Sequence, residues 1–167
     1  MNNNSKKIKH LVLSSFIAAL YAVLTIALAP ISYGQIQIRI AEALTILPFF
    51  SYFPIAGLFI GCIIANLAGG YGVIDIVLGS AATLLAGICT YYIGKSNIGF
   101  KKLLAPLPPV LINALAVGVI LKYTLNLPFL ASALWVGIGE ALSCYVLGLL
   151  MLSMIEKNPR LKKYFTE

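Results

Sequence analysis

Long runs of hydrophobic residues dominate this chain, and their lengths predict membrane-spanning helices. A helix needs about 20 apolar residues, at a rise of about 1.5 Å each, to cross a hydrocarbon core of about 30 Å. Four runs meet this requirement: Leu11–Ala29, Val73–Gly94, Leu103–Leu121 and Phe129–Ile155. A fifth apolar region, Ala43–Gly70, is too long for one span and too short for two full ones. The pattern therefore predicts five or six crossings.

The fifth region divides into two helices if the chain turns at the segment FFSYFP, Phe49–Pro54. Basic residues near helix ends favour the cytoplasmic side, so they discriminate between the two counts. With five crossings, eight of the twelve basic residues fall outside and four inside. With six crossings, Arg39 and Lys122 fall outside and ten fall inside: Lys6, Lys7, Lys9, Lys95, Lys101, Lys102, Lys157, Arg160, Lys162 and Lys163. The charges favour six helices, numbered 1 to 6 in chain order, with both termini in the cytoplasm.

Composition sets the class of protein. Of 167 residues, 60% are hydrophobic and 10% are charged, and the mean hydropathy is +0.97. A soluble domain is about half apolar, so the sequence predicts an all-α integral membrane protein, a compact six-helix bundle. No linker divides the chain, and residues 1–167 are predicted to form one membrane domain. The first apolar run is too long, and lacks the cleavage site, for a removed signal peptide.

One segment between helices 1 and 2 breaks the apolar pattern: SYGQIQIRIAEAL, Ser32–Leu44. Its polar and apolar residues alternate, which fits a short strand, an extended lid or the start of helix 2. If helix 2 begins near Ile38, Arg39 and Glu42 stand three positions apart on a helix and can pair. The six-helix topology places this segment at the outer surface, where Arg39 and Glu42 either touch a ligand or hold each other in place.

Small residues at four-residue spacing mark predicted helix contacts, because helices in lipid associate through close packing. Helices 3 and 4 carry such stripes, which predict packing inside the bundle: Gly57, Gly61, Ala65 and Gly69, then Gly79, Thr83 and Gly87. Helix 1 carries Ser14, Ala18 and Ala22 at the same spacing. A stripe on a terminal helix can serve either internal packing or a partner subunit.

Polar residues inside the predicted spans are candidates for function. A charged side chain at the bilayer centre costs about 2.5 to 3.5 kcal/mol on insertion scales. Asn66 and Asn113 could instead serve only to tie helices together through hydrogen bonds. We predict a polar face in the outer half of the bundle with seven binding residues: Gln37, Arg39, Glu42, Asn66, Asp75, Asn113 and Glu140.

The sequence gives no support for enzyme chemistry. It has no HExxH or GxSxG motif and no clustered acids, so no catalytic residue, metal ligand or cofactor is predicted. Cys62, Cys89 and Cys144 are isolated in apolar runs and are predicted to be core residues. The segment IGKSN, Ile93–Asn97, resembles the end of a phosphate-binding loop, but Cys89 stands where that motif needs glycine. The chain is therefore not predicted to hydrolyse ATP.

Three classes of function fit a small membrane protein: a self-contained carrier or channel, a membrane enzyme, and a binding subunit. Carriers commonly contain inverted repeats, and this sequence shows no repeat. A channel would carry polar residues along its whole pore, whereas these residues gather in the outer half. The net charge of +7 is assigned to orientation in the bilayer rather than to nucleic acid. A binding subunit that depends on partners for energy fits best.

Five segments also resemble one family. They are ALYAVLTIALAPISYGQIQIRIAEALTILPFF (19–50), GLFIGCIIANL (57–67), DIVLGSAATLLAG (75–87), PPVLINALAVG (108–118) and GIGEALSCYVLG (137–148). Together they are similar to the QueT family, the substrate-specificity subunits, or S components, of energy-coupling-factor (ECF) transporters. The resemblance covers nearly the whole chain.

The resemblance implies an S component in a prokaryotic cytoplasmic membrane. Its ligand would be a queuosine precursor, a 7-deazaguanine such as queuine or its aminomethyl or cyano analogue. Its partners would be a transmembrane coupling subunit and two cytoplasmic ATPases. The coupling subunit would contact the stripe of helix 1: Ser14, Ala18 and Ala22. The alternatives are an S component for another vitamin or nucleobase-like ligand and a small self-contained carrier.

The candidate residues suit such a ligand. A guanine-like edge offers two adjacent N–H donors to a carboxylate and a carbonyl to Asn, Gln or Arg. A protonated aminomethyl group requires a second carboxylate. The candidates for both carboxylate roles are Glu42, Asp75 and Glu140. Three aromatic side chains either stack on the base or lie at the membrane interface: Tyr33, Tyr71 and Trp135.

Overall fold

A computed structural model describes residues 3–34 and 37–166, and this part of the chain is helical, with no strand. Four apolar helices are long enough to cross a membrane and correspond to helices 1, 4, 5 and 6: Asn4–Ala27, Asp75–Lys95, Lys101–Leu125 and Phe129–Lys157. Two shorter apolar helices, Ile40–Phe49 and Pro54–Gly69, correspond to helices 2 and 3. The prediction of an all-helical protein with several membrane-spanning helices is confirmed.

Several helix boundaries differ from the ends of the apolar runs. Helix 1 begins at Asn3, well before its apolar run, and a single turn, Ala29–Ser32, follows it. Helix 5 consists of a short piece, Lys101–Leu104, and a long one, Leu107–Leu125. A separate amphipathic helix, Pro159–Thr166, follows helix 6. Polar residues extend helices past the apolar runs, so hydropathy alone underestimates their lengths.

Helices 2 and 3 are separate, so the fifth apolar region is not one kinked helix. Helix 2 ends at Phe49 and helix 3 begins at Pro54. A proline is tolerated in the first turn of a helix because the N–H groups there have no intrahelical partner. Helix 2 is a 3₁₀ helix of 10 residues. At about 2.0 Å per residue it reaches about 20 Å, compared with about 15 Å for an α-helix of that length. The 3₁₀ form lengthens a short segment.

Basic residues gather at one end of the bundle, which we call the basic end. Lys102, at the start of helix 5, forms an ion pair of 2.6 Å with Glu156 of helix 6. Lys9 of helix 1 lies 5.2 Å from the centre of the Tyr164 ring in the last helix. These contacts bring the beginning of helix 1, the beginning of helix 5 and the end of helix 6 to the same end.

The largest apolar core lies next to the basic end and is built on helix 2 and the turn after it. Phe50 and Phe53 are buried, and their ring centroids lie 6.3 and 6.0 Å from that of Phe165. On the outside of the bundle, large apolar side chains such as Phe16 and Val146 are exposed by 64% and 60%. An apolar exterior of this kind suits contact with lipid.

The small-residue stripe of helix 1 is occupied within the chain. A Cβ on Gly61 of helix 3 would stand 2.8 Å from the carbonyl oxygen of Ala18, and a Cβ on Gly57 would collide with that of Ser14. Ala18 and Ala22 are buried. Helix 3 therefore fills part of the face that the family resemblance assigns to a coupling subunit. A second chain could reach this stripe only if helix 3 moved away.

Candidate ligand-binding site

All seven predicted site residues are buried, and none is more than 4% exposed. Two lie in the segment before helix 2, and helices 2 to 6 contribute one each: Gln37, Arg39, Glu42, Asn66, Asp75, Asn113 and Glu140. A buried polar group without a hydrogen bond is costly. The hydrogen bonds of these residues therefore show which of them are satisfied by the protein itself.

Glu42 is the best-satisfied acid of the site. The Tyr21 hydroxyl of helix 1 donates to its Oε1, and Asn113 Nδ2 of helix 5 donates to its Oε2 at 3.2 Å. The Thr45 hydroxyl donates to the Glu42 main-chain oxygen at 2.6 Å. The Glu42 carboxylate therefore joins helices 1, 2 and 5 and has a fixed position.

Glu140 of helix 6 approaches Glu42 from the other side. One carboxylate oxygen of each glutamate and Sγ of Cys144 lie within 4.8 Å of one another. Cys144 lies in a π-helical stretch, Leu142–Gly148, and such stretches occur frequently at functional sites. The sequence shows no cluster of acids, but the fold brings together two that are far apart in the chain.

Asn66 and Asp75 form a second polar group, between helices 3 and 4. Asn66 Nδ2 donates to the main-chain oxygen of Asp75 at 3.0 Å. Gly79 makes room for the amide, because a Cβ there would stand 2.7 Å from Asn66 Nδ2. Asp75 begins another π-helical stretch, Asp75–Gly79. Among the described residues, neither Asn66 Oδ1 nor Asp75 Oδ2 has a hydrogen-bond partner.

Arg39 lies in extended backbone immediately before helix 2. Its Nε donates to the Ser32 main-chain oxygen at 3.3 Å, and its guanidinium lies 5.5 Å from the centre of the Tyr33 ring. No ion pair joins Arg39 to Glu42 in the part of the chain that the structure describes. The predicted pairing is therefore not made, because Arg39 lies outside the helix that would set the two side chains on one face.

The Arg39 guanidinium remains charged inside the protein. Burial lowers its pKa, but the surrounding acidic groups, Tyr21, Glu42 and Asp75 among them, outweigh burial and hold the pKa above its ordinary value. Its Nη2 has no hydrogen-bond partner among the described residues. A charged donor is thus held in the interior with part of its hydrogen-bonding capacity unused.

Gln37 has an unusual backbone conformation beside this donor. Its φ of 45° lies in the left-handed region, which is uncommon for residues other than glycine. Such conformations cost energy and cluster at ligand-binding segments. Its Oε1 has no partner within the described residues. Residues 35 and 36, which complete the alternating segment, lie outside the described residues.

Two of the three predicted aromatic residues connect the loops near Arg39. The Tyr33 hydroxyl donates to the Ala65 main-chain oxygen at 2.6 Å, and the Tyr71 hydroxyl donates to the Tyr33 main-chain oxygen. Burial raises the pKa of Tyr71, so its hydroxyl stays protonated. Trp135 is 52% exposed, which fits a position at the membrane interface.

Sequence reasoning missed three residues of the site: Tyr21, Thr45 and Cys144. Tyr21 gave a usable signal, because a phenol in the middle of an apolar helix needs a hydrogen-bond partner when it is buried. Thr45 and Cys144 gave none, since both are small residues in apolar runs. Cys62 and Cys144 are buried as predicted, but each also contacts polar side chains, such as the Thr83 hydroxyl at 3.3 Å from Cys62 Sγ.

The apolar exterior and the long apolar helices together define a multi-pass membrane protein, and its interior buries a group of polar side chains. A family model described as QueT transporter matches residues 11–157. This match covers most of the chain. The chain therefore belongs to the QueT transporter family.

One curated relative is the queuosine precursor transporter QueT of Lactococcus lactis subsp. cremoris (strain MG1363). It is 38% identical to this chain over 73 residues. The matched region covers 42% of this chain and 43% of the relative, which is less than half of either protein. No solved structure shows significant similarity to the chain.

Proposed function

We propose that this chain is the substrate-binding subunit of an ECF-type importer and that its ligand is a queuosine precursor of the 7-deazaguanine class. Membership of the QueT transporter family supports transport, and the name of the Lactococcus relative supports the ligand class. Residues 1–167 act as one domain in the cytoplasmic membrane of a prokaryote. The proposal rests chiefly on buried polar atoms that lack partners within the described chain.

The membrane topology is six crossings with both termini in the cytoplasm. The contacts of Lys9 with Tyr164 and of Lys102 with Glu156 support it, because they join the two terminal regions to the loop before helix 5. That end carries most of the basic residues, as the cytoplasmic side does in membrane proteins. The buried polar residues then lie toward the outer side, from which an importer receives its ligand.

Six buried side-chain atoms have no partner among the described residues, two of them the hydroxyls of Ser32 and Ser80. The other four support a ligand of defined chemistry: Gln37 Oε1, Arg39 Nη2, Asn66 Oδ1 and Asp75 Oδ2. Leaving a buried donor or acceptor unsatisfied costs about 1 to 3 kcal/mol. Four such atoms in one region would be a large penalty for a small protein. A ligand that fills them recovers that energy on binding, which is what a high-affinity capture protein requires.

The unpaired set is complementary to a guanine-like ring. Carboxylate and amide oxygens of Asp75 and Asn66 accept from the adjacent N–H groups of such a ring. The Arg39 guanidinium donates to its carbonyl, and this bond is strong because the donor is charged. Three acceptors and one cationic donor therefore match the hydrogen-bonding pattern of the ligand class that the family suggests.

Energy for import comes from partner subunits. The IGKSN segment lacks the glycine of a phosphate-binding loop. The resemblance to ECF S components implies that two cytoplasmic ATPases, joined through a transmembrane coupling subunit, hydrolyse the ATP. Helix 3 packs against Ser14 and Ala18, two of the three predicted contact residues on helix 1, and the third, Ala22, is buried. The coupling subunit therefore either binds after helix 3 has moved or uses a different face of the bundle.

Thermal stability of the purified chain tests the proposal. The chain is melted alone and with 7-aminomethyl-7-deazaguanine, its 7-cyano analogue, queuine, guanine, thiamine or riboflavin. A ligand at 100 times its Kd stabilises the folded state by about 2.7 kcal/mol. Stabilisation by a 7-deazaguanine supports the proposal. Stabilisation by a vitamin alone would contradict it and assign the chain another ligand.

Glu42→Gln tests the position of the site. The carboxylate is fixed by Tyr21 and Asn113, so we expect the substitution to weaken 7-deazaguanine binding at least tenfold, about 1.4 kcal/mol. Glu156→Gln is the matched control, because it makes the same chemical change at the basic end. Calorimetry measures Kd for both variants, and unchanged affinity in Glu42→Gln would exclude Glu42 from the site.

A further inference from the structure

A groove runs along the surface of the bundle from the basic end, and its lining includes none of the seven predicted site residues. Helix 1, helix 2, the end of helix 6 and the last helix, Pro159–Thr166, border a space of about 420 Å³. Helix 1 lines one side of it with Leu13, Phe16, Ile17 and Leu20. These positions span about 10 Å along the helix axis. Every lining residue is aliphatic, aromatic or methionine, so the groove suits a long apolar group.

The last helix closes the groove at the basic end. The backbone is extended at Asn158, and Asn158 Oδ1 accepts from the main-chain N–H groups of Arg160 at 3.0 Å and Leu161 at 3.3 Å. This cap starts a helix in a new direction. Phe165 packs against the apolar core and holds the other end. Leu161 and Tyr164 nevertheless stay 41% and 55% exposed, so a fixed helix presents uncovered apolar side chains beside the groove.

Basic side chains flank the apolar face of this last helix. Leu161 and Phe165 stand four positions apart and therefore share one face. Arg160 and Lys162 stand on either side of Leu161, and both are exposed. An amphipathic helix with this pattern lies in the plane of the membrane interface, with its basic residues at the level of the headgroups.

The charge at the mouth of the groove is positive. Lys9 of helix 1 lies 5.2 Å from the centre of the Tyr164 ring, which lines the groove. Among the described residues, Glu156 is the acid closest in sequence to Arg160, and its carboxylate is paired with Lys102 at 2.6 Å. The described acids therefore leave the charge of Lys9 and Arg160 available to an anion from outside the chain.

We propose that this groove binds one anionic phospholipid, with an acyl chain along helix 1 and the headgroup phosphate at Lys9, Arg160 and Lys162. The apolar lining matches the chain, and the basic mouth matches the phosphate, which a guanidinium binds with two parallel hydrogen bonds. Anionic lipids attract basic segments at the membrane surface. A free phosphate would leave the groove empty, and a zwitterionic lipid would bring a positive group to a positive mouth.

A second groove, between helices 4 and 5, provides a comparison within the same molecule. It is larger, at about 520 Å³, and its lining, which includes Leu85, Leu115 and Val119, is also apolar. On these two helices, Lys122 is the basic residue closest in sequence to the lining, three positions after Val119. We expect this groove to accept acyl chains without selecting the headgroup.

Native mass spectrometry of the full chain in detergent tests the inference with two phospholipids of identical acyl chains, anionic phosphatidylglycerol and zwitterionic phosphatidylcholine. The unmodified chain should bind one phosphatidylglycerol about tenfold more tightly than phosphatidylcholine. Inorganic phosphate at the same concentration should not bind. Added salt should reduce the preference, because it screens exposed charges.

Two pairs of variants locate the site. Arg160→Gln with Lys162→Gln should weaken phosphatidylglycerol binding about tenfold and change phosphatidylcholine binding by less than about twofold. Lys95→Gln with Lys122→Gln removes the same charge elsewhere and should leave both affinities unchanged. Leu13→Trp fills the groove and should weaken both lipids, whereas Leu115→Trp, in the second groove, should not affect phosphatidylglycerol. Melting temperatures show which variants are folded.

Several results would overturn the proposal. Equal binding of the two lipids by the unmodified chain would do so, and this comparison needs no variant. Equal losses in the two charge variants would assign the preference to overall charge rather than to the groove. Binding of inorganic phosphate that is lost in Arg160→Gln with Lys162→Gln would assign the basic residues to a free anion. A dimer that forms without lipid and is lost in Leu13→Trp would assign the groove to a second copy of the chain.

Discussion

The two halves of this bundle differ in the side chains that they bury. The half next to the basic end is filled by apolar side chains of helix 2 and the turn that follows it, including Phe50 and Phe53. The other half buries Arg39 and Asp75 with atoms that have no partner among the described residues. A smaller apolar core that includes Ile120 and Val136 also packs in this half, so it is the unpaired polar atoms there that reduce the stability of the fold in the absence of a ligand.

This contrast indicates how a membrane protein can carry a polar interior. Lipid is as apolar as the protein core, so burial of apolar side chains drives helix association less than it does in water. Close contact between helix backbones must then offset the energetic cost of the unpaired polar atoms. The contact of helix 1 with helix 3 meets this requirement at Gly57 and Gly61, where an added Cβ would stand 2.4 and 2.8 Å from a main-chain oxygen of helix 1.

Gly61→Leu should have the largest effect. Its side chain would begin 2.8 Å from the Ala18 carbonyl oxygen and 2.9 Å from Tyr21 Cβ. Because a backbone cannot move aside as a side chain can, we expect a loss of about 3 kcal/mol or more, the upper part of the range for overpacking. Melting temperature at a fixed scan rate and the yield of monodisperse protein measure the loss.

Gly99→Leu is the matched control for this substitution. Gly99 is exposed in the loop before helix 5, and a Cβ there would meet nothing within 4 Å. We expect its melting temperature to stay close to that of the unmodified chain. Equal losses at Gly61 and Gly99 would show that the contact of helices 1 and 3 does not stabilise the bundle.

Asp75→Asn should have a smaller effect of the opposite sign. Asp75 Oδ2 has no partner among the described residues, and Asn66 bonds to the main-chain oxygen of Asp75, which the substitution keeps. Removing a buried, partly unsatisfied charge should stabilise the ligand-free chain by about 1 kcal/mol. Ligand affinity should fall in the same variant. A higher melting temperature with weaker binding is the expected pair of results.

Glu42→Gln makes the same chemical change where both carboxylate oxygens have donors. An amide there would bring its own N–H₂ group against a donor, so the ligand-free chain should become less stable. The two variants therefore differ in the sign of their effect on stability and agree in weakening binding. If Asp75→Asn and Glu42→Gln lower stability equally, the hydrogen bonds do not distinguish an unsatisfied Asp75 from a satisfied Glu42.

Much of the fold could be predicted from sequence because helix length and charge are local properties. The long helices followed from the lengths of the apolar runs, and the turn at FFSYFP followed from the distribution of basic residues. The 3₁₀ form of helix 2 did not, because its period of 3.0 is difficult to separate from 3.6 over 10 residues. The sequence could not show whether the small-residue stripe on helix 1 packs against helix 3 or against a partner. Its contact with Gly57 and Gly61 depends on how helices 1 and 3 are rotated.

The residues of the site were easier to predict than their partners. A polar side chain in an apolar run is conspicuous, so the sequence could name seven candidates, and all of them are buried. Which of them meet depends on helix rotation, which the sequence does not specify. The sequence left open whether Arg39 pairs with Glu42 or touches a ligand, and Glu42 bonds to Tyr21 and Asn113, which lie on other helices.

The smallest effect should come from the ion pair at the basic end. The side chains of Lys102 and Glu156 are 57% and 26% exposed, and exposed pairs contribute about 0.2 to 1 kcal/mol. Lys102→Ala should therefore lower stability by less than about 1 kcal/mol and leave ligand affinity unchanged. A double-mutant cycle with Glu156→Gln isolates the pair, and its coupling should decline with added salt. A coupling of several kcal/mol would mean that charge stabilises the basic end as strongly as packing does, which the apolar core on helix 2 argues against.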